Sequence, residues 1–119
     1  MKTNILALAF VLIVAVASAK EMTVDGYTLR GVTVSETKTS NPYILDMKFS
    51  ARVTGGKSCP RLKLEIWLVN NKGDRASITA FAKDVGGSNS RLAEGVGKGF
   101  FVGDNTRWEI SNIYTHCME

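Results

Sequence analysis

"YILDMKFSARV", Tyr43 to Val53, and "RLKLEIWLV", Arg61 to Val69, decide the fold class. In the first stretch Leu45, Met47, Phe49, Ala51 and Val53 fall at every second position, with Asp46, Lys48, Ser50 and Arg52 between them. Successive side chains on a strand point to opposite faces, so this alternation describes a strand with one side in a core and the other in water. The second stretch repeats it. Leu62, Leu64, Ile66 and Leu68 share one face, and Arg61, Lys63, Glu65 and Trp67 share the other.

Turn residues bound both stretches. Gly55-Gly56 follows the first, and Asn70 to Asp74 (NNKGD) follows the second with residues that tolerate positive φ. Upstream, Tyr27 to Glu36 is a strand interrupted by Gly31, which marks a bulge, and Asn41-Pro42 breaks the chain. Downstream, Arg75 to Val85 returns as a strand of open register, because Ile78, Ala80 and Ala82 compete with Phe81 and Val85 for the inner face. Arg107 to Cys117 is the closing strand. Without a bulge, Trp108, Ile110 and Tyr114 share one of its faces and belong to the core. Five or six alternating strands predict an all-β fold, an antiparallel immunoglobulin-like β-sandwich or, alternatively, a small β-barrel. Alternation instead of continuous apolar runs argues against a parallel sheet.

Val85 to Asp104 (VGGSNSRLAEGVGKGFFVGD) combines many glycines with Leu92, Val96, Phe100 and Phe101. Gly86 to Gly99 reads as a polar, flexible connection. Phe100-Phe101-Val102 reads as a short strand whose two phenylalanines face opposite ways. "GVGKGFF" echoes a phosphate cradle but lacks the spacing of a P-loop and a following helix.

At the start of the chain Lys2, the apolar run Ile5 to Val16 and Ala17-Ser18-Ala19 have the order of a secretory signal peptide. An apolar helix of this length spans only about 18 Å, short of a bilayer core. Residues 1–19 are therefore expected to be a cleaved signal, and 20–119 one domain, periplasmic or secreted, with no stable membrane insertion after cleavage. Without Lys2 the chain carries fourteen Lys and Arg against eleven Asp and Glu, a net charge of +3. No dense basic tract interleaved with aromatics is present, which speaks against nucleic acid as a partner.

Cys59 and Cys117 are the two cysteines of the chain. In an oxidising compartment an even pair predicts a disulfide, here from the start of a central strand to the end of the last. The rival, a reactive or metal-binding thiol beside His116, is disfavoured. Sequence neighbours on a strand face opposite ways, and one histidine with two distant cysteines is too few for a zinc site. His116 is the sole histidine, no nucleophile elbow occurs, and the carboxylates are scattered. No catalytic set, metal or cofactor is expected.

The stretch Leu62 to Asp74 (LKLEIWLVNNKGD) and the later "WEISNIY" resemble the FxLYD-type domains, immunoglobulin-like sandwiches of exported bacterial proteins. Leu68-Val69-Asn70 stands where that family has Leu-Tyr-Asp. The resemblance implies an extracytoplasmic, non-catalytic accessory or binding domain. The expected function is thus a small exported protein of the bacterial cell envelope, binding a protein partner there or in the extracellular space. Trp67, Leu92, Phe100 and Phe101 are its candidate contact residues. The alternative is a secreted inhibitor or immunity-type protein that plugs an enzyme such as a cell-wall hydrolase with the 86–104 segment.

Overall fold

The computed structural model describes residues 20–100 and 106–119. The signal-peptide reading and Phe101 lie outside the described residues. Seven strands follow one another: β1 (Lys20–Val24), β2 (Tyr27–Lys38), β3 (Ile44–Gly55), β4 (Cys59–Asn70), β5 (Arg75–Val85), β6 (Ser90–Phe100) and β7 (Trp108–Met118). Among the described residues there is no helix.

The alternating stretches behave as their pattern demands. On β3, Leu45, Met47, Phe49, Ala51 and Val53 are buried, and on β4 Leu62, Leu64, Ile66 and Leu68 are buried. Each buried Val, Leu, Ile, Met or Phe side chain contributes about 1.5–3 kcal/mol by leaving water, and Ala51 less. β5 resolves its register in favour of Ala76, Ile78, Ala80 and Ala82, which leaves Phe81 on the outer face. The Asn70–Asp74 turn forms around one side chain. Asn70 Oδ1 accepts the backbone N–H groups of Lys72 at 2.9 Å and Asp74 at 2.8 Å, and Gly73 takes φ +92°. Gly31, at φ +62°, sits where the β2–β3 register shifts, the bulge expected there.

The strands form one sheet in the order β1-β2-β3-β6-β5-β4-β7, every neighbouring pair antiparallel. Two stacked layers, which an immunoglobulin-like sandwich needs, are not shown. The reason is β6. It pairs with β3 from Thr54↔Ser90 to Ile44↔Phe100, and with β5 from Phe81↔Glu94 to Ile78↔Gly97, and so joins the two halves into one curled sheet. Residues 90–99, expected as part of a flexible connection, form with Phe100 an inner strand. Its inner face carries Ala93, Gly95, Gly97 and Gly99. A Cβ on Gly95 would stand 2.0 Å from the Thr79 carbonyl oxygen and 2.7 Å from Ala80 Cα, and one on Gly97 would stand 2.5 Å from the Ser77 carbonyl oxygen. The missing side chains let the backbone of β5 lie against β6, and the sheet bends sharply there. The edge strands β1 and β7 come together at one end, where Thr115 Oγ1 donates to Asp25 Oδ2 in the β1–β2 turn.

β7 departs from the expected face. Trp67 pairs with Asn112 and Leu68 with Ile110, so Ser111 is an extra residue and the alternation flips. Trp108 is buried as expected, but beyond the bulge Ile113 turns inward and Tyr114 outward. At the far end of β7, Cys59 and Cys117 are joined by a disulfide with a Cα–Cα separation of 5.8 Å, which ties β7 to its neighbour β4.

Two outcomes follow from these contacts. Gly95→Ala places a methyl group into the β5 backbone and is expected to destabilise the domain by about 3 kcal/mol, the upper end of overpacking penalties, or to prevent folding. Glu94→Ala, one residue away on the outer face, should change stability by less than about 0.5 kcal/mol; urea unfolding compares the two. Replacing both Cys59 and Cys117 by Ala is expected to cost about 2–4 kcal/mol in the same measurement, the range for a loop of this length.

Candidate functional site

The outer face of the curled sheet is organised by what β6 sends outward. With glycine and alanine inside, its larger side chains, Leu92, Glu94, Val96, Lys98 and Phe100, all project away from the core. Val96 is 71 % exposed and Phe100 61 %, with Leu92 at 43 %. Tyr43, 71 % exposed, precedes Ile44, the cross-strand partner of Phe100. A single outward apolar side chain is ordinary, but here three fall on one strand, alternating with Glu94 and Lys98. A groove of about 570 Å³ runs beside Val96, lined also by Thr37, Met47 and Gly97, with Asp46, Lys48 and Lys98 at its margin.

The charges on this face are sorted. In the middle they neutralise one another: Lys98 Nζ lies 2.7 Å from Asp46, and Lys48 Nζ lies 3.8 Å from Glu94. At the disulfide end they do not. Arg30 stands opposite Arg52 across β2–β3, and Arg61 stands opposite Lys83 across β4–β5. Like charges directly opposite on a sheet repel and lower stability. Arg30 finds Glu21 at 3.8 Å, but Arg52, Arg61 and Lys83, together with Arg91, which lies opposite Val53 on the inner alternation at the open end of β6, have no carboxylate within 4.0 Å among the described residues.

These cations surround an opening in the sheet. The β5–β6 ladder ends at Phe81↔Glu94, short of the turn that joins the two strands. The cause lies in the turn. Asp84 has φ +50°, Gly86 +120° and Gly87 +59°, and Gly86 packs so closely on Ser58 that a Cβ there would stand 2.5 Å from Ser58 Cα. The end of β5 is drawn toward the β3–β4 turn and away from β6. Across the gap Arg91 Nε and Asn89 Nδ2 donate to the Asp84 carbonyl oxygen, at 3.2 and 3.0 Å. The resulting cleft, about 580 Å³, is lined by Arg61, Phe81, Lys83, Arg91 and Leu92. The Arg61 guanidinium lies over the Phe81 ring with its carbon 4.3 Å from the centroid, a cation–π contact that restrains it beside the cleft.

The sequence-derived candidates are therefore dispersed. Leu92 lines the basic cleft and Phe100 lies at the opposite end of the same strand. Trp67 is half-buried on the outer face of β4, beside a shallow depression with Glu65, Arg75, Asn112 and Tyr114. Arg52, Arg61, Lys83 and Arg91 were not singled out by sequence, nor was Val96.

Among the described residues no group of three or more His, Cys, Asp or Glu side chains is placed to hold a metal ion, and no helix is long and apolar enough to cross a membrane. His116 is exposed on β7 opposite Lys63. Comparison with known proteins gives no counterpart: no family model, no curated protein and no solved structure matches the chain.

One carboxyl is perturbed. Glu36 faces inward on β2 and is only 7 % exposed. Burial pushes its pKa above the ordinary carboxylate value, and the Trp108 backbone N–H, which donates to it, opposes this in part. With its ionised form penalised, the folded chain holds the proton more tightly than the unfolded one. Stability therefore falls as pH rises from the ordinary carboxyl pKa through the raised one. Glu36→Gln is uncharged throughout. It should melt above the wild-type protein at pH about 7, with the difference shrinking as pH drops toward about 4.

Proposed function

We propose that this protein is a small exported, non-catalytic binding module of the bacterial cell envelope that docks a protein partner on the outer face of its curled sheet. The observation that carries the reading is the inverted strand β6, which has no side chain larger than a methyl group from Ala93 to Gly99 on its inner face and shows Leu92, Val96 and Phe100 to solvent. Apolar side chains held rigidly on an inner strand cost little conformational entropy on binding, which suits them as anchors. Tyr43 extends the apolar zone beyond the end of the strand. The disulfide fits the oxidising compartment to which the signal-like first residues would direct the chain. An inhibitor that plugs an active site with the glycine-rich segment finds less support, because Ser90–Phe100 is an inner strand and not a projecting loop.

The test is site-specific photo-crosslinking in cells that make the protein. A photoreactive residue at position 96 or 100 is expected to capture one discrete protein, whereas the same residue at Lys72, on the exposed β4–β5 turn, is not. With the photoreactive residue at position 100, Val96→Asp should reduce that capture about tenfold, as loss of an anchor does, and leave the melting temperature unchanged. Equal labelling from all three positions would overturn the reading.

A further inference from the structure

We propose that the cleft at the open end of the β5–β6 hairpin is a binding site for a short acidic peptide segment, in which carboxylates flank an apolar side chain. This goes beyond the apolar docking zone. The cleft occupies the disulfide end of the outer face, and it stands or falls independently of what Val96 and Phe100 bind.

Each wall contributes charge. Arg61 and Lys83 come from the β4–β5 side and Arg91 from β6, while Arg52 is the cross-strand partner of Leu92. Phe81 and Leu92 are the apolar surface between them. The like-charge pair Arg61↔Lys83 costs stability in the free protein, and an anion placed between the two turns that repulsion into attraction. Arg61, held over Phe81, carries the planar donor fork that can take a carboxylate with two parallel hydrogen bonds.

The extent of the charge selects the ligand. A long polyanion needs cations along its whole path. Here Arg52, Arg61, Lys83 and Arg91 gather at one end, whereas the outward cations elsewhere either hold a carboxylate, as Lys48 and Lys98 hold Glu94 and Asp46, or stand singly, as Lys63 and Arg75 do. A few negative groups around one apolar side chain match four cations around Phe81 and Leu92. The opening of about 580 Å³ lies within the range of sites that bury a small ligand or a few peptide residues.

A short labelled peptide alternating glutamate with leucine tests this against the full domain, by fluorescence anisotropy and by amide shifts in NMR. Binding is expected to weaken as salt rises and to shift the amides of Phe81, Lys83, Arg91 and Leu92. Lys83→Glu and Arg52→Glu, both at exposed positions, should each weaken it about tenfold, and Lys72→Glu should leave it unchanged. Arg91 is left intact because it also bridges to Asp84. Absence of binding at millimolar peptide would overturn the proposal. So would equal affinity for oligoglutamate, which lacks the apolar group, or tighter binding of a sulfated oligosaccharide with shifts spread over the whole face. Val96→Asp should not affect peptide binding, so the two surfaces can fail separately.

Discussion

The structure depends on the close approach of the β5 backbone to the inner face of β6. The Thr79 carbonyl oxygen occupies space that any side chain at position 95 would need. Because Gly95 and Gly97 carry no Cβ, the sheet can bend through a tight corner between β3 and β5, and β3 touches β5, its second neighbour, while Gly99 leaves room for Met47 and Trp108. One sheet then encloses its own core. Without the corner, β1-β2-β3 and β5-β4-β7 would each need a separate layer to cover their apolar faces.

The same corner fixes the outer face. Side chains on a strand alternate, so a strand stripped of side chains inside must carry whatever it has outside. Leu92, Val96 and Phe100 are exposed because the inward positions between them hold only Ala93 and glycines, two of which, Gly95 and Gly97, lie against the β5 backbone. Further along the seam, the turn after β5 is pulled onto Ser58 by Gly86, the hairpin gapes, and the cleft forms. The disulfide acts at this end too. It fastens the edge strand β7 to β4, and Arg61, two residues after Cys59, stands beside it.

β3 and β4 were legible in the sequence because each has a core face and a water face, and hydrophobicity then alternates along the chain. β6 was not, for a physical reason. Period-two reading takes the apolar positions as inward, and in β6 they are outward while the inward ones are glycines that carry no hydropathy signal. β1 is a short edge strand with little buried surface. Its usable sign was the Asp25-Gly26 pair, whose positive φ values make the two-residue hairpin turn into β2. On β7 a single extra residue, Ser111, moved Tyr114 from the expected core to the surface. The disulfide was legible from parity and compartment. The cation cluster was hidden, since Arg52, Arg61, Lys83 and Arg91 come from four strands and meet only through register.

Net charge also concealed that cluster. A domain with a small positive excess can carry it evenly or gather it, and the sequence shows only alternation of sign. Cross-strand register decides. Lys48 and Lys98 fall within reach of Glu94 and Asp46, so the middle of the outer face is neutral. The densest group of cations is left at one end, where Arg30↔Arg52 and Arg61↔Lys83 set like charges side by side. Repulsion of this kind is readily relieved by substituting one partner, and nothing in the core requires an arginine or lysine at these exposed positions. Arg61 and Lys83 line the cleft, and Arg52 stands across from Leu92 at its edge, at the opposite end of the face from Phe100, so the face has two zones of different chemistry.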